Sequence, residues 1–169
     1  MASVGQTRRK VTITKNMKEI EIGKSGKYFI IDDEDFELVN KYYWHLDRQG
    51  YVRGVPKNRK LIRLHRLIMN PSKEKVIDHI NRNPLDNRKN NLRICSQVQN
   101  MANRSAYINN TSGYKGICFN KKRNKYFTWF AHNKKRIYGG TFTNLSDAIK
   151  RYNELALKHN GEFAVLNHL

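Results

Sequence analysis

Long apolar runs are missing from this sequence, and no stretch approaches the roughly 18–20 residues that a bilayer-spanning helix needs. The amino-terminal segment MASVGQTRRKVTITK is basic but has no apolar h-region, so a secretory signal is not expected. Cysteine is scarce. Cys95 and Cys118 lie far apart and form no CxxC unit. That spacing argues against a structural zinc cage and against a disulfide framework, and it fits two reduced thiols in an intracellular protein. Acidic residues are the third shortage: 14 Asp and Glu face 33 Lys and Arg, for a net charge of +19.

That excess is spread along the chain. Residues 1–60 hold thirteen basic and eight acidic side chains, 61–104 nine and three, and 105–169 eleven and three. A charge of this size repels itself unless a polyanion offsets it, and nucleic acid is the usual one. An anionic membrane would be met by a basic amphipathic helix with a wide apolar face. The sequence offers none, so nucleic acid is the expected partner and a membrane is not. The 169 residues allow one ordinary domain or two to three small ones, and 38% hydrophobic with 11% aromatic residues suffices for packed cores.

Residues 1–18 read as a flexible basic arm. Tyr28–Ile31 has strand character, and Asp32 or Asp33 is placed to cap a short helix over 34–43, with the acids 32–35 at its positive end. WHL and YVRGV flank the turn DRQG and predict a hairpin. After the basic loop PKNRK, LIRLHRLIM reads as a helix with Leu61, Leu64, Leu67 and Ile68 on one stripe, ended by Pro71. In it His65 reads as a packed histidine. KVID is then a short strand that delivers Asp78 and His79, followed by a long polar loop to Asn91. LRIC is a second strand, and Ser96 is the natural cap of a helix reaching about Arg104.

A phosphodiester-cleaving centre needs a general base for water and, with magnesium, hard oxygen ligands for the ion. Asp78 is an oxygen ligand. His79, next in an extended strand, points to the opposite side. That suits a division of labour, with Asp78 on the metal and His79 turned toward the water, since an imidazole titrates near neutral pH. A second ligand must come from elsewhere, and Asn100 and Asn103 stand one turn apart on the following helix. Asn81, Asn83 and Asn87 read as turn residues that tolerate left-handed backbone. Arg82, Arg88 and Arg93 are candidates for phosphate contacts.

The stretch LHRLIMNP…VIDHINRNPLDNRKNNLRICSQVQNMANR resembles the HNH homing endonucleases of phages, closely over 61–104. The resemblance implies a ββα-metal finger and site-specific hydrolysis of DNA phosphodiester bonds in the host-cell cytoplasm. It implies Asp78 and Asn100 as metal ligands, His79 as general base, and Asn91 as the asparagine that holds the histidine loop. Such an all-oxygen ligand set favours Mg²⁺ or Mn²⁺ over zinc. One such centre cuts one strand, so nicking by a monomer and double-strand cleavage by a dimer are both open.

SAYINNTS reads as a linker over 105–112, and the pattern then changes. YKGICF, KYFTWFAH and KRIYGGTF are strand-like runs, and a helix from Ser146 to His159 follows. Alternation turns Tyr126, Thr128, Phe130 and Ile137 toward the helix, and Phe127, Trp129, Ala131, Arg136 and Tyr138 outward. The segment 113–169 resembles the plant APETALA/ethylene-response-factor DNA-binding domain. That likeness places Lys115, Asn120, Trp129, Arg136 and Tyr138 on double-stranded DNA, while Cys118 stands where that family often has a base-reading arginine. The expected architecture is α+β: a basic arm and mixed region over 1–60, the metal finger over 61–104, and a three-stranded antiparallel sheet on one helix. The rival expectation is a non-catalytic, sequence-specific DNA-binding regulator.

Overall fold

The computed structural model describes residues 10–14, 16–55, 61–104, 110–133 and 135–169. The basic loop 56–60 and most of the expected linker, 105–109, lie outside the described residues. The chain forms two compact units, Met1–Cys95 and Ser96–Leu169. It is a mixed α and β protein whose strands pair antiparallel in several small sheets. No helix among the described residues is long and apolar enough to cross a membrane.

Of the arm expected over 1–18, residues 11–14 and 17–18 lie in a sheet, while 1–9 and 15 lie outside the described residues. Strands β1 (Val11–Thr14), β2 (Met17–Glu21) and β3 (Tyr28–Asp32) lie in that order. Val11 opposes Ile20 and Ile20 opposes Phe29, so alternate positions feed one apolar face. Asn16 makes the first turn with a left-handed φ of 67°, a conformation asparagine tolerates. The helix expected over 34–43 shrinks to a 3₁₀ turn at Asp33–Asp35 and α1 (Phe36–Val39). Asp32 precedes that turn without a capping side-chain bond, because its carboxylate serves a distant loop.

Strands β4 (Tyr43–Leu46), β5 (Val52–Val55) and β6 (Ile62–Arg63) form a second sheet, and α2 (Leu64–Met69) leaves its edge. The helix therefore begins three residues later than the apolar stripe suggested. Ile62 and Arg63 pair with β5, Leu61 is exposed, and Leu64 is fully buried. Trp44 anchors this core: its indole donates to the Val39 carbonyl at 2.9 Å, and its ring meets Phe29 edge-on. A Cβ at Gly54 would lie 2.6 Å from that ring, so only glycine admits the indole here. Strands β7 (Val76–His79) and β8 (Leu92–Cys95) close the unit as a two-stranded ladder.

The second unit starts with α3 (Gln97–Ala102), capped by Ser96 in a reciprocal box with Gln99. Strands β9 (Ile117–Asn120), β10 (Lys125–His132) and β11 (Lys135–Phe142) follow, with β10 central, and then α4 (Leu145–Asn160). Ala148, Ile149, Tyr152, Leu155 and Ala156 of α4 bury against Ile117 and Phe130. A β-bulge between Thr128 and Trp129 breaks the β10–β11 register. Gly116, at φ 71°, gives Tyr152 and the Trp129 carbonyl room that a Cβ would take, and its own carbonyl accepts from Trp129 at 2.7 Å.

Candidate active site

In the β7–β8 ladder Asp78 opposes Arg93 and His79 opposes Leu92. Successive side chains alternate faces, so the Asp78 carboxylate and the His79 ring stand on opposite sides. Both residues are buried, at 5% and 6% exposure. Asp78 Oδ2 accepts from the Arg93 guanidinium through Nε at 2.9 Å and Nη2 at 2.8 Å. The His79 ring lies among Asn87, Tyr51 and His65: Nε2 is 3.4 Å from Asn87 Oδ1, and the His65 ring meets it edge-on at 5.2 Å.

The polar loop after β7 is stitched to itself. Asn91 Nδ2 donates to the Asp86 carbonyl at 2.8 Å and to Asn81 Oδ1 at 3.0 Å, and its Oδ1 accepts from the Asn81 amide at 2.9 Å. Its backbone carbonyl accepts from Ile80 N at 2.8 Å. Asn81 also donates to Asp86, which Arg88 grips with two guanidinium nitrogens at 2.8 and 2.7 Å. The Arg88 bond holds the Asp86 carboxyl below the usual carboxylate range. Asn83 accepts from Leu85 N in a tight turn. The left-handed backbone expected of Asn81, Asn83 and Asn87 falls instead on Arg82, at φ 65°. Asn87 is a fully buried core residue whose Nδ2 donates to the Pro84 carbonyl at 3.1 Å.

A second set of bonds ties this loop to the amino-terminal sheet. Ile30 N donates to the Leu85 carbonyl, and Asn87 N to the Ile30 carbonyl, each at 2.8 Å, making a parallel bridge. Asp32 Oδ2 accepts from Lys89 N at 2.7 Å. The Lys89 ammonium pairs with Glu34 and, at 3.1 Å, with Asp35. The hydrogen bond to Glu34 raises its pKa above the lysine value. The acidic run therefore braces the loop. Its expected role was to cap a helix.

Burial holds the His79 imidazole below its ordinary pKa, against the opposing effects of the Asn87 hydrogen bond and the Asp78 and Asp86 charges. His65 is shifted further: burial first, then His79, Arg63 and Arg66, push it down to about 3. Both rings are neutral at pH 7, so His65 presents an uncharged wall to His79.

The other expected site residues fall as follows. Arg82 is exposed, whereas the Arg88 and Arg93 guanidiniums already hold carboxylates. Asn100 is half-buried within α3 and Asn103 is the buried residue that ends it, so both belong to the second unit. A carboxylate and an amide oxygen, Asp78 and Asn100, are hard donors of the kind a magnesium or manganese ion takes. Among the described residues no group of three or more His, Cys, Asp and Glu side chains is gathered to hold a metal.

On the second unit's sheet the outward side chains follow the alternation expected of them. Trp129 packs on Tyr138 with ring centroids 4.9 Å apart, and the Arg136 guanidinium lies 4.7 Å over the indole. Tyr138 is 52% exposed. Lys115 lies off that cluster: its ammonium donates to the Ala102 carbonyl at 2.6 Å. Asn120 accepts from Arg123 N and shapes the β9–β10 turn.

Residues that sequence reasoning passed over are Asp86, Lys89 and Tyr51, and it gave Asn87 a turn role and His65 a packing role only. No periodicity distinguishes Asn87 from the other asparagines of the loop; its partner His79 is eight residues earlier and its backbone partner Ile30 is in β3.

Comparison with known proteins adds likenesses. No solved structure matches the chain. An uncharacterized HNH endonuclease of Acanthamoeba polyphaga mimivirus is 29% identical over 151 residues, covering 85% of this chain and 76% of the viral protein. Residues 63–102 match the family model described as HNH endonuclease, a span that runs from β6 through α3 and contains Asp78, His79, Asn91 and Asn100.

Proposed function

We propose that the chain is a site-specific homing endonuclease of the HNH type that hydrolyses DNA phosphodiester bonds with a histidine base and a divalent cation, Mg²⁺ or Mn²⁺. The observation that carries this reading is His79, at the end of β7 inside the HNH match, its ring lodged between Asn87 and His65 and kept neutral by burial. A neutral imidazole is the form that accepts a proton.

In this reading His79 takes a proton from water as the water oxygen bonds to phosphorus. The bond from phosphorus to the 3′ oxygen breaks, that oxygen leaves as a hydroxyl protonated by solvent, and the phosphate stays on the 5′ side. Asp78 and Asn100 are the residues that would hold the cation, which would supply charge against that developing on the phosphate and the leaving oxygen. Asn91 keeps the loop that carries His79 in register through its bonds to Asn81 and Asp86. Arg82, and the outer edges of Arg88 and Arg93, meet neighbouring phosphates.

The region 61–104 is then the nuclease, 105–112 a linker, and 113–169 a second DNA-binding domain of the APETALA-like kind. Its contacts come from Lys115, Asn120, Trp129, Arg136 and Tyr138. The stacked Trp129, Tyr138 and Arg136 offer aromatic planes with a cation beside them, suited to sugar, base and phosphate together.

The test is nicking of supercoiled plasmid with Mg²⁺ or Mn²⁺. Wild type is expected to nick, and His79→Ala to lose about 10²–10⁴-fold in rate while binding DNA equally in a gel shift. A wild-type protein that binds and never nicks with either ion ends the nuclease reading and leaves a DNA-binding regulator.

A further inference from the structure

The outward face of the β9–β11 sheet is organised in rows that cross its strands. Lys125 opposes Asn120 at one end, and Ala131 opposes Arg136 at the other. Between them one row runs Cys118–Phe127–Thr141, and the next pairs Trp129 with Tyr138. The opposite face is covered by α4. Ile117 and Phe130 bury against that helix, and Thr128, fully buried, donates its hydroxyl to the Ala148 carbonyl at 3.3 Å. Cys118 and Phe127 alternate with Ile117 and Thr128, so they point away from the helix.

The row through Phe127 differs from its neighbours in what it lacks. It carries no charge. The exposed Cys118 thiol donates to the Phe127 carbonyl at 3.7 Å. The Thr141 hydroxyl is bonded to that of Tyr138. The row therefore offers a partner a sulfur, a phenyl ring and a threonine methyl. Exposed Lys125 and Arg136 stand at the two ends of the face, and exposed Arg123 follows β9 in the turn.

Three strands about 4.7–4.9 Å apart give the row a width of about 10 Å, which fits a major groove of about 12 Å and exceeds a minor groove of about 6 Å. Every base pair presents hydrogen-bonding groups to the major groove, and thymine adds an apolar C5-methyl. An apolar row laid on a G·C edge strips water from polar atoms and returns no hydrogen bond. Laid on a thymine methyl it buries apolar surface on both sides.

We propose that Cys118, Phe127 and Thr141 form a base-reading row that selects thymine through its C5-methyl group. The inference rests on the reading of this sheet as a DNA-binding face.

The full chain, without divalent ion so that no strand is cut, is used to select duplexes from a random library. The selected duplex is then compared with a copy in which deoxyuridine replaces thymidine, a change that removes only the methyl groups. Wild type is expected to bind the uracil copy more weakly, by about four-fold for each methyl buried. In the double variant Cys118→Ser, Phe127→Ser that ratio should fall toward one, because hydroxyls replace the sulfur and the ring. Equal binding of the two copies by wild type overturns the proposal, whether or not the variant folds. So does a folded double variant that keeps the wild-type ratio, since the methyls would then be read elsewhere. Failure of the underlying reading has a separate mark: Trp129→Ala and Arg136→Gln that each bind the selected duplex as tightly as wild type remove the sheet from DNA, and the proposal falls with it.

Discussion

The loop from Ile80 to Asn91 and the sheet of β9–β11 are both rich in side chains that could meet DNA, and they treat them in opposite ways. In the loop the polar groups turn inward: Asp86, Asn87 and Asn91 are 3%, 0% and 7% exposed, and each is bonded within the chain. On the sheet Trp129, Arg136 and Tyr138 lean on one another and remain accessible. A reacting group must be held at one position and in one protonation state, which requires desolvation and full hydrogen bonding. A binding face must meet its partner, which requires exposed planes and charges. The abundance of asparagine in the loop is thus a matter of internal structure, although its composition suggests a solvated surface.

The hardest blow to that contrast is Asn91→Ala. It removes three side-chain bonds around a buried residue and leaves the Asp86 carbonyl and the Asn81 amide to find other partners. The expected loss is about 3 kcal/mol of stability by denaturant titration, together with nicking. Stability near that of wild type would mean that the loop is held mainly by its bridge to β3.

Acid should affect the buried histidines next. His65 has a folded pKa of about 3 against an ordinary value of about 6.5. The unfolded chain therefore binds a proton that the folded chain refuses as pH falls below about 6.5. The stability this group contributes is fully present above that pH and is lost progressively toward pH 3, by about 2 kcal/mol at pH 5. Urea titrations at pH 7.5 and 5 measure the drop, and His65→Leu should make it shallower. His79, also depressed, adds in the same direction.

The smallest effect on folding belongs to the exposed face. Trp129→Ala is expected to weaken DNA binding by about 1–3 kcal/mol. Arg136→Gln should lower the slope of log affinity against log salt by about one. Neither should change the folding midpoint by more than about 0.5 kcal/mol, a limit appropriate to exposed positions. A large loss of stability in either variant would show that the face is part of the core.

What was legible in the sequence had local causes. The strands β7 and β8, the Ser96 cap and the buried stripe of α4 follow from alternation, capping chemistry and helical period within a few residues. The outward set on β10 and β11 also emerged from alternation, though a bulge lies in its path. What was missed depends on partners far along the chain. Asp32 and Lys89 are 57 residues apart, and no local rule ties an acidic cluster to a lysine across that distance. The β1–β2 hairpin was hidden because its apolar positions are sparse and gain a core only when β3 joins them. Asn87 looked like its neighbours because burial, not residue type, sets it apart.

The bridge from Ile30 to Leu85 and Asn87 has a consequence for where this unit can be cut. The stretch that carries the family resemblance starts at residue 63, yet the wall of its histidine pocket is sewn to a strand that ends at Asp32. A fragment cut at the edges of the motif would keep His79 and lose the seam that holds Asn87 beside it. The unit that must be kept whole is therefore larger than the unit of recognition by sequence, and it reaches back at least to Tyr28.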